Sequence, residues 1–404
     1  MIGYDAKNVD FVAYHDLDGR PCFKMAIHVV GDKWYMYLTN FWQSAWTIMD
    51  ITDPFNPIKI KEIEGPQNTW TINLQIARGL MITSLEEISP AFGGVPGAKF
   101  EEGIQLWDLS NPIKPKEISR WKTGDRGTHR NYYDGDRYVH LTARMPGFAG
   151  YIYVILDIID KKNPTEVGRF FLPEQYEAGG GVPRSSRYNG LHGPAYVDGD
   201  RAYMGYGSAG FIIADISDVK NPRLVSHMHF GNALGSSLGA HTMLPIRARG
   251  LALINTEAIA EESNEPLNYT AVVDISEETR PKVISMFPIP EPPEGASYSN
   301  FSKRGGRFGP HNFHHYQNQP CLMNSSTLVF MANFNAGFRV YDISDPYIPR
   351  EVGFFLPHDP TVKTGLLPRG KLVTQSEDVL VDSRGYAYFT DKNHGLFVVR
   401  YNGI

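Results

Sequence analysis

The sequence predicts an all-β chain folded as one seven-bladed β-propeller with four-stranded blades, a single domain over residues 1–404. Three observations carry this. One hairpin phrase built on Asp-Ile-Ser-Asp-Pro returns along the whole chain, a second hairpin precedes each copy, and the last copy stops one strand short. Self-similarity at a near-constant period marks a repeat architecture, because no single unit can bury its apolar face alone.

The copies read TIMDITDPFNPIKIKEI, IQLWDLSNPIKPKEISRW, VILDIIDKKNPTEVGRF, IIADISDVKNPRLVSHM, AVVDISEETRPKVISMF and RVYDISDPYIPREVGFF. Their marker aspartates, Asp50, Asp108, Asp157, Asp215, Asp274 and Asp342, are 58, 49, 58, 59 and 68 residues apart. A seventh copy, GLFVVRYNGI, ends the chain with Arg400 in the marker place. β-Branched and aromatic runs form the two strands of each phrase, while Asp and Ser bond back to the backbone and Pro fixes the turn. The preceding hairpins, such as YVDGDRAYMGY and LPIRARGLALIN, turn tightly at Asp-Gly or Arg-Gly. Two hairpins make a unit of four strands, A to D from the axis outward, and seven units make the ring. The seventh unit lacks its strand D. NVDFVAYHDLDG near the N-terminus supplies it, so residues 9–15 are expected to complete the last blade and leave no open sheet edge.

The hairpin phrase resembles the LVIVD-repeat family of seven-bladed propellers, over nearly the whole chain. The resemblance implies the fold. It implies no particular chemistry, since the family is defined by its repeat.

Composition excludes several function classes. Hydrophobic residues make 42% of the chain and charged residues 21%, enough apolar surface for a large core and against disorder. A net charge of −5 leaves no basic field for phosphate backbones, so no nucleic-acid partner is expected. Cys22 and Cys321 make neither a disulfide framework nor a C-x-x-C motif. The start MIGYDAKNVD lacks a leader pattern and no run of eighteen apolar residues occurs, so a cytoplasmic protein without a membrane partner is expected. The Asn-x-Ser/Thr matches at Asn268, Asn300 and Asn324 then carry no weight. Gly235-Ser-Ser237-Leu-Gly239 matches G-x-S-x-G, but a strand follows where a nucleophile elbow needs a helix.

The chemistry lies in the histidines. Four of the thirteen recur in consecutive units as Gly127-Thr-His129, Gly190-Leu-His192, Gly239-Ala-His241 and Gly309-Pro-His311, in units three to five just before strand A. The glycine lets the chain turn inward at that point. Four neutral nitrogen donors converging near the channel mouth make a transition-metal site: imidazole suits Fe, Cu, Zn, Mn or Ni, whereas Ca or Mg would ask for carboxylates. Trp70 and Ser376 take the equivalent places in units two and seven. His314 and His315 stand beside His311 and are alternatives to it as fourth ligand.

The last residue of strand B forms a second column: Asn40, Glu86, Arg144, Ser208, Glu257 and Lys392. Its carboxylates are expected to orient the imidazoles or to serve as general bases. Glu257, Glu86 and Arg144 are the candidate catalytic residues from this column, Tyr188 joins them from a loop, and Glu377 is a further candidate. Arg184 and Arg187 before His192, with Lys303, Arg304 and Arg307 before His311, are candidates for an anionic or phenolic substrate. The long loops fall on this same face, which marks it as the working end. Phe92, Phe100, Phe148, Tyr188, Tyr298 and Phe301 in or near them suggest an aromatic mouth.

The function expected is that of a metal-dependent enzyme, foremost an oxidoreductase or oxygenase acting on a small aromatic or apolar molecule. Four histidines leave an octahedral Fe(II) or Mn two open positions but saturate a tetrahedral Zn, so the first two are favoured over Zn; Fe(II) is the ion expected, with Mn, Cu and Zn as the others open to such a site. The four-histidine hub is similar to that of the carotenoid-cleavage oxygenases, and comparable to the histidine-bound copper of the selenium-binding protein and methanethiol oxidase group. The alternatives are a Mn- or Zn-dependent lyase or hydrolase on the same site, similar to the oligogalacturonate lyases, and a propeller that only binds a partner. A homo-oligomer stays open.

Overall fold

The structure, a computed structural model, describes residues 2–183, 190–229 and 238–403. Among them there is no α-helix, only short 3-10 turns between strands. Each of the first five copies of the phrase is the outer hairpin of one four-stranded antiparallel unit. The first unit runs Cys22–Val30, Lys33–Asn40, Ala45–Asp50 and Ile58–Glu64 in spatial order. The second (Leu74–Ala77 to Lys116–Trp121) and third (Gly127–Tyr132 to Thr165–Phe170) are joined by a pairing of Gly127 with Glu86 into one nine-stranded sheet. The fourth (Tyr196–Asp198 to Arg223–Met228) and fifth (Ala240–Ile246 to Lys282–Met286) are separate four-stranded sheets.

The marker aspartates earn their recurrence in the turns. Asp50, Asp108, Asp215, Asp274 and Asp342 each accept, through Oδ1, the backbone N–H two residues on, at 2.7–2.9 Å. Asp53, Asp218 and Asp345 repeat the bond one turn later at 3.0 Å. Such Asx turns satisfy N–H groups that would otherwise be lost where the chain reverses. All six complete hairpins also carry a register shift between strands C and D, after Ile48, Leu106, Ile155, Ile213, Val272 and Val340. Nothing in the sequence reading anticipates this bulge.

The two chain ends meet as expected. Val9–His15 pairs antiparallel with Gly395–Tyr401 as the outer strand of a sheet that continues through Tyr386–Asp391 to Ser376–Val381. The sixth sheet departs from the expected pattern. Its outermost strand is Tyr4–Lys7, paired with Arg350–Pro357, and the strand A place near His311 is reduced to one bridge between Phe313 and Met331. The N-terminal segment therefore serves two sheets.

Apolar residues from neighbouring units interlock. Met25, Ile27, Met36 and Leu38 of the first sheet share one buried cluster with Leu380, Tyr388, Leu396 and Val398 of the last. Phe338, Phe355, Phe389 and Phe397 fill the space between the last two, with Phe389 and Phe397 stacked at 4.8 Å. Deleting residues 2–15 uncovers this core and removes the ladder on both sheets. The expected cost is on the order of 3–5 kcal/mol, the range for losing buried large side chains, read as a lowered midpoint in chemical denaturation. An unchanged midpoint would show that the strand adds nothing.

Candidate metal centre

The Gly-x-His motif works through its backbone. Gly127, Gly190, Gly239 and Gly309 all have positive φ, at 105°, 69°, 80° and 138°. A Cβ on Gly127 would stand 2.2 Å from the Leu85 carbonyl oxygen, so the motif also depends on close approach to the neighbouring unit. His129 and His241 then fall on register shifts at the start of strand A, between Thr128 and Arg130 and between Ala240 and Thr242. A bulge adds one residue and turns its side chain off the ladder.

The four rings form a row. His129 and His192 lie 4.6 Å apart by centroid, His192 and His241 5.3 Å, and His241 and His311 5.1 Å. Three are gripped from outside through Nδ1. Glu86 Oε2 is 2.8 Å from Nδ1 of His129, Thr242 Oγ1 is 2.6 Å from that of His241, and Glu377 Oε2 is 3.1 Å from that of His311. Fixing Nδ1 in this way orients the ring and leaves Nε2 as the donor. Nε2 of His129, His241 and His311 is buried in each case with no hydrogen-bond partner.

Glu257 reaches Nε2 of His192, His241 and His311 but not that of His129. Its Oε2 is 3.1 Å from Nε2 of His192 and 3.5 Å from that of His241, and its Oε1 is 3.7 Å from Nε2 of His311. Arg307 approaches Oε1 from the other side at 3.4 Å. Among the described residues, His192, His241 and Glu257 form a donor set with all ligand atoms within 4.8 Å of one another, and His129 and His311, their ring neighbours in the row, fall outside it. Glu257 thus stands among the donors themselves and not beside them as a separate base. Burial alone would raise its pKa, but His311 and the hydrogen bond with His192 hold it well below the usual carboxylate range. Burial also pushes His129 down to about 4 and His241 well below its ordinary value, so both imidazoles are neutral donors.

The other expected residues divide clearly. Glu377, not Ser376, is the unit-seven residue that turns in to the site, because the register shift between Ser376 and Val379 displaces the sequence alignment by one. Lys392 is buried and ion-paired with Glu377, its ammonium over Phe41 and Phe334. Asn40 bonds to Glu62 within its own sheet and plays no part in the site. Arg304 pairs with Asp359 at 2.7 Å, away from the imidazoles. His314 bonds to Met323 O and to the N–H of Val381, and His315 packs between Tyr132 and Tyr196, so neither stands in for His311. Tyr188, Arg184 and Arg187 lie outside the described residues, as does most of the G-x-S-x-G match.

A cleft of about 560 Å³ opens beside His129 and His192. Trp70, Leu238 and Ile259 give it apolar walls; Glu86, Glu87, Arg126, Arg144 and Tyr151 give it polar ones. The expected aromatic mouth is mostly elsewhere. Phe148 packs on Phe171 and Tyr176, and Tyr298 and Phe301 pack on each other, while Phe92 reaches the cleft only as backing for Trp70 at 4.6 Å. The sequence reading missed Tyr151, whose hydroxyl donates to Oε1 of Glu86 and thereby ties the cleft to His129. It could have been found, because Tyr151 is the direct cross-strand partner of Arg144.

Comparison with known proteins adds the repeat and little else. The LVIVD repeat model matches residues 195–229 and 328–356, so the chain carries LVIVD repeats. No curated protein matches. Among solved structures the chain is similar to a functionally unknown protein from Desulfotomaculum acetoxidans DSM 771, at 12% identity and a TM-score of 0.49, covering 81% of this chain and 84% of that one. No helix among the described residues is long and apolar enough to cross a membrane.

Proposed function

We propose that the sheet units close into a seven-bladed β-propeller whose hub holds one transition-metal ion, and that the protein is a metal-dependent enzyme, foremost an oxidoreductase. Closure is supported where the last unit meets the first: Ser376–Val381 packs against Cys22–Val30, and Lys24 Nζ reaches Asp378 Oδ1 at 2.6 Å across the seam. The metal reading rests on one observation, the three buried, unpartnered Nε2 atoms of His129, His241 and His311. A buried polar atom without a partner costs about 1–3 kcal/mol, and an ion shared along the row would relieve that cost.

His129, His192, His241 and His311 would hold the ion, with Glu257 as a fifth donor or as a base. When bound, such an ion supplies Lewis-acid polarisation or one-electron chemistry at the cleft. The chain's own residues prepare the place. Glu86 and Glu377 hold two imidazoles by Nδ1, Arg307 holds Glu257, and the Trp70 ring stands 6.1 Å from that of His129 on the cleft side. Imidazole donors with one carboxylate suit Fe(II) or Mn, with Cu and Zn also open to such a set. A lyase or hydrolase is the second reading, favoured by the reach of Glu257 into the donor set.

Metal analysis of anaerobically purified protein tests both. About one Fe(II) per chain with substrate-dependent O₂ uptake supports the oxidoreductase, and bound Mn or Zn without O₂ uptake supports the second reading. A folded chain that takes up no metal on reconstitution overturns both and leaves a binding scaffold.

A further inference from the structure

The charged groups lining the cleft beside His129, Glu86, Glu87, Arg126 and Arg144, balance in number but not in pairing. Glu87 is taken by Arg126 at 2.6 Å. Glu86 is taken by His129 and by the Tyr151 hydroxyl. Arg144 has no carboxylate as ion-pair partner among the described residues: its Nε is buried without a hydrogen-bond partner, and the guanidinium reaches only the Tyr151 hydroxyl, which leaves further N–H donors free. Its guanidinium carbon sits 4.9 Å over the Tyr151 ring. A guanidinium stacked on an aromatic face keeps its in-plane N–H donors available, in the fork geometry that matches a carboxylate.

We propose that this cleft binds the carboxylate of a small organic acid, with Arg144 as the anchor. Trp70, Leu238 and Ile259 cover the apolar body of the molecule. The site therefore selects an acid with an apolar or aromatic remainder, and its volume of about 560 Å³ lies within the usual range for small-molecule sites. Only the placing of the reacting end, beside His129 and His192, rests on the metal reading above. Arg144 is a specificity residue in this account, since an anion bound there would also offset the positive charge of a metal ion.

Benzoate and its neutral isostere benzamide are the probes, titrated calorimetrically into wild-type protein, Arg144→Gln and Arg144→Lys, each both chelator-treated and metal-loaded. Wild type is expected to bind benzoate at least tenfold more tightly than benzamide in both states. Arg144→Gln should remove that preference in both, and Arg144→Lys, which keeps the charge but loses the fork, should keep part of it. A preference that survives Arg144→Gln, or that exists only in the metal-loaded protein, overturns the proposal, because the carboxylate would then be held elsewhere or by the metal. Absence of benzoate binding overturns it equally. Failure of the metal reading looks different: no metal is taken up, yet the Arg144-dependent preference for benzoate remains.

Discussion

Replacing His241 by alanine is expected to lower metal affinity by more than about 100-fold, beyond the 10–100-fold typical of losing a residue that only orients a ligand. His241 is fully buried, lies at the middle of the compact donor set and has no hydrogen-bond partner for its Nε2. The same substitution should leave the metal-free protein's melting temperature within a few degrees of wild type. A small cavity is created, but the cost of a buried, unpaired nitrogen is relieved, and the two effects oppose each other. Metal titration and thermal melting of the stripped protein check both halves. An imidazole with a structural role would give the reverse pattern, with metal uptake kept and the stripped protein destabilised.

Glu257→Gln is expected to have the second largest effect. If Glu257 moves a proton in the reaction, turnover of any substrate the wild type converts should fall by roughly 10²–10⁴-fold. The structure adds a stability consequence. Arg307 is nearly buried and has Glu257 as its ion-pair partner, so the amide leaves an uncompensated cation. Breaking a buried pair on one side costs about 3–5 kcal/mol, and metal-free Glu257→Gln should therefore unfold at lower denaturant than wild type. Bound metal cannot make good that loss, because it adds positive charge beside Arg307. Unchanged turnover with normal metal content would remove Glu257 from the chemistry, and unchanged stability would show that the Arg307 contact carries no weight.

Much of this centre was legible because it is written into the repeat. A Gly-x-His at the same place in four consecutive units can be aligned without knowing any distance, and the structure sets all four rings in one row. The strand B column was legible for the same reason, and it led to Glu86, Arg144 and Glu257. It failed for Asn40, which bonds to Glu62 within its own sheet, while Lys392 joins the site only through Glu377, the partner of His311. The aromatic mouth failed because loop aromatics pack on whatever lies nearest, as Phe148 does on Phe171 and Tyr176.

By itself the sequence determined what is local or periodic: strand content, the Asx turns at each marker aspartate, the glycines with positive φ ahead of each histidine, and the pairing of residues 9–15 with the last strand. Those follow from alternation, turn chemistry and the count of strands, which neighbours along the chain decide. Only the tertiary structure decided which atoms meet. Strands present alternate faces, so one inserted residue exchanges the face that looks inward. The bulge before Val379 therefore makes Glu377 rather than Ser376 the partner of His311. Glu257 comes to lie among the imidazoles for a similar reason, since its position depends on how the fifth unit packs against the fourth and sixth, through contacts between residues far apart in the chain.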